Sequence, residues 1–495
     1  MLLLADKTVD IKRITATVIG EMNVIDLNNI EKYRENNRIE AKKATGGLPK
    51  SLWETYSSFA NTLGGIILLG VEEYRDKSLH PVNLPDPDEL IEEFWEIAND
   101  IQKVSTNILS YDDVYVQKIE NKHIIVITVP KAKRFDRPVY LDGSIHNSYR
   151  NGEGDYRCTL DQINAMVRDS EIKTQDMNII ECMTASVFNT DSLHSYRIKM
   201  STVKPNNRLQ NLSDKDFLQA IGAIGVGEDL LFHPTAAGLL MFGKSEFIKK
   251  EYPSYCLEYK ETTQDDKHTI ISSNLNSDCE NLYDFFIKVF EKISYDIKLT
   301  ANIKSDITPI TTALQEALAN CLINADYYGS NGVVIMKDDE SITISNPGGF
   351  RVELDAARAG GISDPRNTAI MRMFNLIGIG SNDGFGISNI FSVWKSHKLV
   401  LPVIEESFNP ESITLKLSFV PESKSTKTQI LQNRPDIETD RQDAVISYIT
   451  DNITVTSKEI SELLGISHKK SKQLLHRLMA KDFVIIKNGK YTLKA

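Results

Sequence analysis

A twenty-residue polar stretch, PESKSTKTQILQNRPDIETD at 421–440, divides this chain into two bodies of opposite charge. It is rich in Ser, Thr, Lys and Asp and has little hydrophobic periodicity, the composition of a linker rather than of a packed element. Beyond it, residues 441–495 hold ten Lys/Arg against five Asp/Glu, a balance of +5 that leaves −16 on the remainder of a chain of net charge −11. Such a stretch does not thread through one hydrophobic core, so separate domains are expected, about three of them for 495 residues. With 41% hydrophobic and 25% charged residues, 26 Gly and 16 Pro, the chain is not collagen-like, disordered or a disulfide scaffold. Its overall acidity argues against non-specific nucleic-acid binding by the whole surface and leaves local patches open.

Five cysteines, Cys158, Cys182, Cys256, Cys279 and Cys321, lie far apart, with no Cys-x-x-Cys pair and no histidine at zinc-ligand spacing. They read as reduced, mostly buried thiols. No apolar run approaches the roughly 18 residues of a membrane span. Met1-Leu2-Leu3-Leu4 gives way at once to Ala5-Asp6-Lys7, too short for a signal-peptide core. A cytoplasmic protein without membrane contact is expected.

A weaker boundary falls between Asp169 and about Ser192. Upstream, Arg38 to Ala41 reads as a strand, and Pro49 to Leu63 as a helix with Leu52, Tyr56, Phe59 and Leu63 on one face. Pro49 suits the first helical position and Gly64-Gly65 the stop. Ile66 to Val71 and His123 to Val129 are short continuous apolar runs, the pattern of buried strands. Ser192 to about Phe419 again mixes helix and strand. The expected architecture is an α+β multidomain chain: 1–169, a connecting α/β region at 170–308, 309–420, the linker 421–440, and 441–495.

Three constellations carry chemistry. In the first, Glu35 precedes a strand on which Glu40 and Lys42 share a face, and Glu72 and Glu73 sit where the strand Ile66 to Val71 emerges. If those strands are neighbours, three carboxylates converge, and like charges that close ionise together only with a cation between them. Mg²⁺ or Mn²⁺ suits oxygen ligands, and a nearby Lys can stabilise charge developing on a phosphate. Taken alone, in a chain with 68 acids, the same residues are better explained as solvated surface carboxylates.

Family likeness shifts that balance. Glu35-x4-Glu40-x-Lys42, followed by Phe59-Ala60-Asn61-Thr62-Leu63-Gly64-Gly65, the apolar strand and Gly70-Val71-Glu72-Glu73, resembles the Schlafen/AlbA-type domain over roughly Asn23 to Arg168. The resemblance implies an α/β domain with a metal-dependent RNase site formed by Glu35, Glu40 and Glu72, with Lys42 beside them. Glu72 stands where the family usually has Asp, and bacterial relatives with this motif include nucleic-acid-binding regulators. Lys131, Lys133, Arg134 and Arg137 after the strand His123 to Val129, and Arg150 in Tyr149-Arg150-Asn151-Gly152, are interleaved with Phe135, Tyr140 and Tyr149. That mixture suits a nucleic-acid backbone with unstacked bases, a solvated loop being the alternative.

In the second constellation, i, i+4, i+8 spacing places Glu316, Asn320 and Asn324 along one stripe of a helix, with Leu318, Leu322 and Ile323 on another face. Downstream come a strand at Ile342 to Ser345, a turn at Asn346-Pro347-Gly348-Gly349, a loop at Asp364-Pro365-Arg366-Asn367 and Gly384-Phe385-Gly386-Ile387 opening a helix. Glycines at a helix mouth let backbone N–H groups approach a phosphate. Together these resemble a GHKL-like α/β sandwich of the RecG-related C-terminal type, over about Pro309 to Phe419. The resemblance implies ATP with Mg²⁺: Glu316 as the water-activating base, Asn320 as metal ligand, Asn346, Gly348 and Gly349 at the adenine, and Gly384 and Gly386 at the phosphates. His233, in the His233 to Gly243 run, reads as a capping or core histidine.

The third constellation is the tail. Arg441 to Ile449, Ser457 to Leu464 with Ser457 as N-cap, and Ser467 to Ala480 read as helices, and Val484 to Leu493 as a hairpin turning at Asn488-Gly489. Three helices and a basic wing resemble a winged helix-turn-helix, whose third helix would enter a major groove. Lys469, Lys472 and Arg477 on that helix and Lys487 and Lys490 on the wing are its expected nucleic-acid contacts, with a protein-contact wing as the alternative.

The expected function is therefore a metal-dependent nuclease of Schlafen type acting on nucleic acid, RNA first, controlled by nucleotide binding. ATP hydrolysis, homo-oligomerisation and a phage-defence or stress role would fit it. The rival is a non-catalytic, ATP-responsive DNA-binding transcriptional regulator.

Overall fold

The computed structural model describes residues 27, 30, 33–152, 154–265, 268–274, 279–300, 308–380, 384–408 and 410–422, and beyond them 448–449, 455–464, 471, 475, 478–479, 484–487 and 490–493. The chain divides into two compact units: Met1–Asp339 with Thr343–Phe391 and Ile404–Lys416, and Glu340–Ile342 with Ser392–Val403 and Leu417–Ala495.

In the first unit, β1 (Ile39–Lys42) runs parallel to β2 (Gly65–Leu69), which pairs antiparallel with β6 (Lys122–Val129), itself antiparallel to β5 (Val114–Ile119). The order is β1-β2-β6-β5. Both faces are covered, which is why the central strands are apolar without alternation. Ile67, Leu69, Ile125 and Ile127 pack with Tyr56 and Phe59 of α1 (Ser51–Asn61). Leu68, Ile124 and Val126 face Ile39, Ala41 and Val71.

Two boundaries differ from expectation. Pro49 stays outside α1, its carbonyl accepting Leu52 N–H at 2.9 Å, and the helix begins at Ser51. The run Ile66 to Val71 is not one strand. Gly70, at φ +81°, breaks it, and Val71–Glu73 (β3) leaves to pair with Leu79–Pro81 (β4). A Cβ at Gly70 would sit 2.8 Å from Leu84 Cγ, in a backbone region L-residues avoid. Gly70→Ala should therefore cost about 1–3 kcal/mol in denaturant unfolding, and an unchanged midpoint would show that the break relaxes freely.

A six-stranded sheet has the order β9-β8-β10-β11-β13-β12, formed by β8 (Leu257–Asp265), β9 (His268–Asn274), β10 (Val333–Lys337), β11 (Ser341–Pro347), β12 (Val403–Phe408) and β13 (Glu411–Ser418). Further elements of the first unit are β7 (Ser144–Asn151), α2 (Leu160–Ser170), α3 (Ala236–Phe242), α4 (Leu282–Thr300), α5 (Thr308–Asn324) and α6 (Thr368–Leu376), with α7 (Gly386–Ser396) beginning within it. Tyr196 is fully buried between Phe242 and Tyr283 and donates its hydroxyl to the Met373 carbonyl at 2.7 Å.

His233, just before α3, is buried, with Nδ1 2.8 Å from the Met183 carbonyl and Nε2 2.9 Å from Asp229 Oδ1. It is a structural histidine. The Met183 carbonyl and the Asp229 carboxylate both raise its pKa above 6.5. The folded state thus holds this proton more tightly than the unfolded chain, so the stabilisation is complete below about pH 6.5 and is lost as pH rises through the folded value. His233→Gln should flatten the decline in melting temperature between about pH 6 and 8, and an identical slope in both chains would refute the charged pair. Among the cysteines, only Cys158 and Cys321 are buried, whereas Cys182 and Cys256 are exposed, which corrects the expectation of mostly buried thiols.

In the second unit, Trp394 is fully buried and donates Nε1–H to the Ser418 carbonyl at 2.7 Å, its ring 6.2 Å from that of Phe419. Toward the C-terminus, α8 (Ser457–Leu464) and the antiparallel pair β14 (Val484–Lys487) and β15 (Lys490–Leu493) share a core of Val455, Ile460, Leu475, Leu478, Val484 and Tyr491. The cap of α8 is Thr456 rather than Ser457: Thr456 Oγ1 accepts Glu459 N–H at 3.3 Å, and Glu459 Oε2 accepts Thr456 N–H at 2.6 Å. Lys469, Lys472 and Arg477, most of the expected first and third tail helices, the Asn488-Gly489 turn and the linker from 423 lie outside the described residues. No helix among the described residues is long and apolar enough to cross a membrane.

Candidate functional site

The residues of the second constellation meet at an open cavity of about 160 Å³ in the first unit. Helix α5 supplies its polar edge because its other face is the core: Leu314, Leu318 and Leu322 are buried while Glu316, Asn320 and Asn324 line the cavity. Asn320 Nδ2 donates to Glu316 Oε1 at 3.3 Å, and Asn324 Nδ2 to the Asn320 carbonyl at 3.0 Å. Burial raises the Glu316 carboxyl above its ordinary value, partly offset by the Asn320 hydrogen bond.

Asn346, Gly349, Gly384 and Gly386 also line the cavity, whereas Gly348, at φ +90°, turns the chain behind it. Ile344, Ile413 and Ile390 give the interior an apolar body. Gly386, at the start of α7, sits close against the polar edge: a Cβ there would crowd Glu316 Oε1 and lie 2.9 Å from Asn320 Nδ2, so both side-chain ends would have to shift. A flat apolar recess with an acid, an amide and a helix N-terminus at one end suits a ligand with an aromatic body and an anionic tail. Asn320 and Glu316 offer oxygens of the kind Mg²⁺ takes.

Three charged lining residues carry no role legible in the sequence: Arg351, Asp364 and Arg366. The Arg366 guanidinium is buried, bonds the Asp169 carboxylate and donates Nη2 to the Gly349 carbonyl at 3.0 Å. Arg351 donates Nη2 to the Asp169 carbonyl at 3.1 Å, and burial depresses its pKa to about 10. Asp364 accepts Arg134 Nε at 2.5 Å. The Asp364 to Asn367 loop was visible as a loop; its partners, up to 230 residues away, left no local signal.

The first constellation closes differently from expectation. β1 and β2 are neighbours, and Glu40 and Lys42 do share a face, with Lys42 Nζ 2.5 Å from Glu40 Oε1. Glu35 Oε1 accepts Ala41 N–H at 3.0 Å. Burial, opposed by that hydrogen bond and reinforced by Glu40 and Glu73, raises the Glu35 carboxyl. Glu72 instead turns to Lys43 at 3.1 Å, because the break at Gly70 carries it onto a separate strand pair. Among the described residues no group of three acidic, histidine or cysteine side chains is placed to hold a metal ion. As folded, Glu40 and Glu72 are each paired with a lysine and Glu35 accepts the Ala41 N–H, so the three carboxylates do not converge.

The expected phosphate contacts are also placed elsewhere. Lys133 is exposed, but Lys131 lies 3.1 Å from Glu406, and Arg134 and Arg150 are buried. Arg150 feels the Glu411 and Glu406 charges, with burial lowering its pKa. Lys490 is exposed on β15, and the side chain of Lys487 lies outside the described residues.

Comparison with known proteins gives the class of each part. Residues 35–159 match the family model "Schlafen, AlbA_2" and residues 329–415 the model "Putative ATP-dependent DNA helicase recG C-terminal". Residues 164–258 match a domain of unknown function, DUF8451. The chain thus joins a Schlafen/AlbA_2 domain to a RecG-type, ATPase-like domain. Among solved structures it is similar to the DIP2311 protein from Corynebacterium diphtheriae, at 14% identity over 94% of this chain and 96% of that one, with a TM-score of 0.39. It is also similar to the N-terminal domain of a RecG-related helicase-type protein from Nitrosomonas europaea, at 29% identity over 26% of this chain and 89% of that one, with a TM-score of 0.20. No curated protein matches the chain.

Proposed function

We propose that this chain is an ATP-responsive nucleic-acid-binding protein, in which nucleotide occupying the cavity at α5 governs the AlbA-type domain. The observation that carries the reading is the single cavity edge built by Asn346 and Gly386, within the region matching the RecG-type model, and by Glu316 and Asn320 of α5 just before it. Asn346, Gly349 and the apolar recess would hold the base. Gly384, Gly386 and the start of α7 would hold phosphates, with Mg²⁺ at Asn320 and Glu316 as base for any hydrolysis. Residues 441–495 would add a winged-helix contact to duplex DNA through Lys469, Lys472, Arg477, Lys487 and Lys490. Five neutralised phosphates there give a log–log salt slope near about −4.5.

A second reading, metal-dependent RNA cleavage at Glu35, Glu40 and Glu72, is favoured by one observation: the Glu35 carboxyl is raised partly by Glu40 and Glu73, a repulsion that a cation would relieve. The two readings separate in one experiment. The full chain is incubated with labelled RNA or DNA, with and without ATP, in Mg²⁺, Mn²⁺ or EDTA. Binding that survives EDTA and changes with ATP, without cleavage, supports the regulator. Divalent-dependent cleavage lost in Glu40→Gln supports the nuclease. No change with ATP in either assay overturns nucleotide control.

A further inference from the structure

Several basic residues of the AlbA-type domain meet carboxylates of the ATPase-like domain within the same compact unit. Lys131 Nζ is 3.1 Å from Glu406 Oε1, and both side chains are about 13–14% exposed. Arg134 bonds Asp364 at 2.5 Å, and the charges of Glu411 and Glu406 act on Arg150 and those of Glu353 and Glu406 on Arg38. Phe408, two residues from Glu406 on β12, has its ring centroid 5.7 Å from Lys131 Nζ and 5.8 Å from the Arg150 guanidinium carbon. Clustered carboxylates and a flat ring on β12 and β13 offer these cations the kinds of group that a single strand of nucleic acid offers: anionic oxygens and a ring for stacking.

We propose that the neighbouring strands β12 and β13 are an internal mimic of a nucleic-acid strand, and that a phosphodiester backbone binds the basic face of Lys131 and Arg150 by displacing Glu406 and Glu411. Carboxylate and phosphate compete for the same donors, so the closed form suppresses binding by an overall acidic chain. The mimic is tied to the nucleotide cavity. Ile404 of β12, Ile413 of β13 and Asp364 line that cavity, and Glu406 Oε1 also accepts Phe350 N–H at 2.9 Å. Filling the cavity and opening the basic face therefore act on the same two strands. This inference rests on the nucleic-acid-binding reading above and adds which face binds and what holds it shut.

The test uses the full chain and two fluorescent probes, a single-stranded RNA and a duplex DNA of about 20 nucleotides, long enough to span several phosphates. Glu406→Gln with Glu411→Gln keeps shape and the Phe350 acceptor while removing both charges. Affinity for at least one probe should rise about tenfold or more with a steeper salt dependence, and adding Arg150→Ala should reverse the gain. An RNA preference would point to 2′-hydroxyl contacts, and equal gains to the backbone alone; both support the mimic. If wild type binds a probe and the double variant binds it with the same affinity and salt slope, the mimic is refuted while nucleic-acid binding stands. If neither chain binds either probe, the nucleic-acid reading itself fails. Should the double variant not fold, hydrogen exchange of wild type decides: residues 404–416 should lose protection when the probe is saturating, and unchanged protection in a binding chain overturns the proposal.

Discussion

Asp169→Ala should destabilise the first unit by about 3–5 kcal/mol, read as a lower denaturant midpoint for its unfolding transition. The Asp169 carboxylate, at the end of α2, is the anion bonded to the buried Arg366 guanidinium, whose other hydrogen bonds go to the carbonyls of Asn324 and Gly349. Removing the acid leaves the Arg366 guanidinium hydrogen-bonded only to neutral carbonyls, with Asp326 and Glu411 as its remaining charge partners. The Asp169 carbonyl also receives Arg134 at 2.7 Å and Arg351 at 3.1 Å, contacts that alanine preserves, so the loss isolates the charge. Asp169→Asn, which keeps an acceptor, should lose less. Although burial alone would raise its pKa, Arg366 outweighs it and holds the Asp169 carboxyl below its ordinary 3.8. The pair's contribution is therefore present above about pH 3.9 and is lost as pH falls through the folded value, making the wild type acid-labile in a window the variant lacks. A midpoint shift under about 1 kcal/mol would mean that water reaches Arg366.

Gly386→Ala should abolish thermal stabilisation by ATP. At a hundred times its dissociation constant a ligand adds about 2.7 kcal/mol to the folded state, several degrees in a melting curve. The added methyl would meet Glu316 and Asn320 inside the cavity, closing the end assigned to the phosphates. Two further variants divide the effect. Asn320→Ala should remove only the Mg²⁺-dependent part, and Glu316→Ala should leave binding and stop hydrolysis. Because the Glu316 carboxyl is raised, any hydrolysis that uses it as a base should fall as pH drops through that value. A wild-type chain that shows no shift in millimolar ATP would refute the nucleotide assignment.

Features with a local period were legible in the sequence. The stripe Glu316, Asn320, Asn324 lines a cavity because a helix repeats every 3.6 residues, and the apolar runs at β2 and β6 are buried because a strand covered on both faces needs no alternation. The separation of Glu72 from Glu35 and Glu40 has an equally local cause. One glycine at positive φ ended β2 and moved the acid to another strand pair, beside Lys43.

The sequence by itself determined the elements, the polar edge of the cavity and the separation of an acidic body from a basic tail, since these follow from spacing and composition along neighbouring residues. Only the tertiary structure decided which charges neutralise one another. Lys131, Arg134 and Arg150 read as free phosphate contacts, yet the charges of acids in the ATPase-like domain act on each, Lys131 meeting Glu406 across 275 residues of chain. Ion pairing depends on distance in space and on exclusion of water, and neither quantity is written in sequence separation.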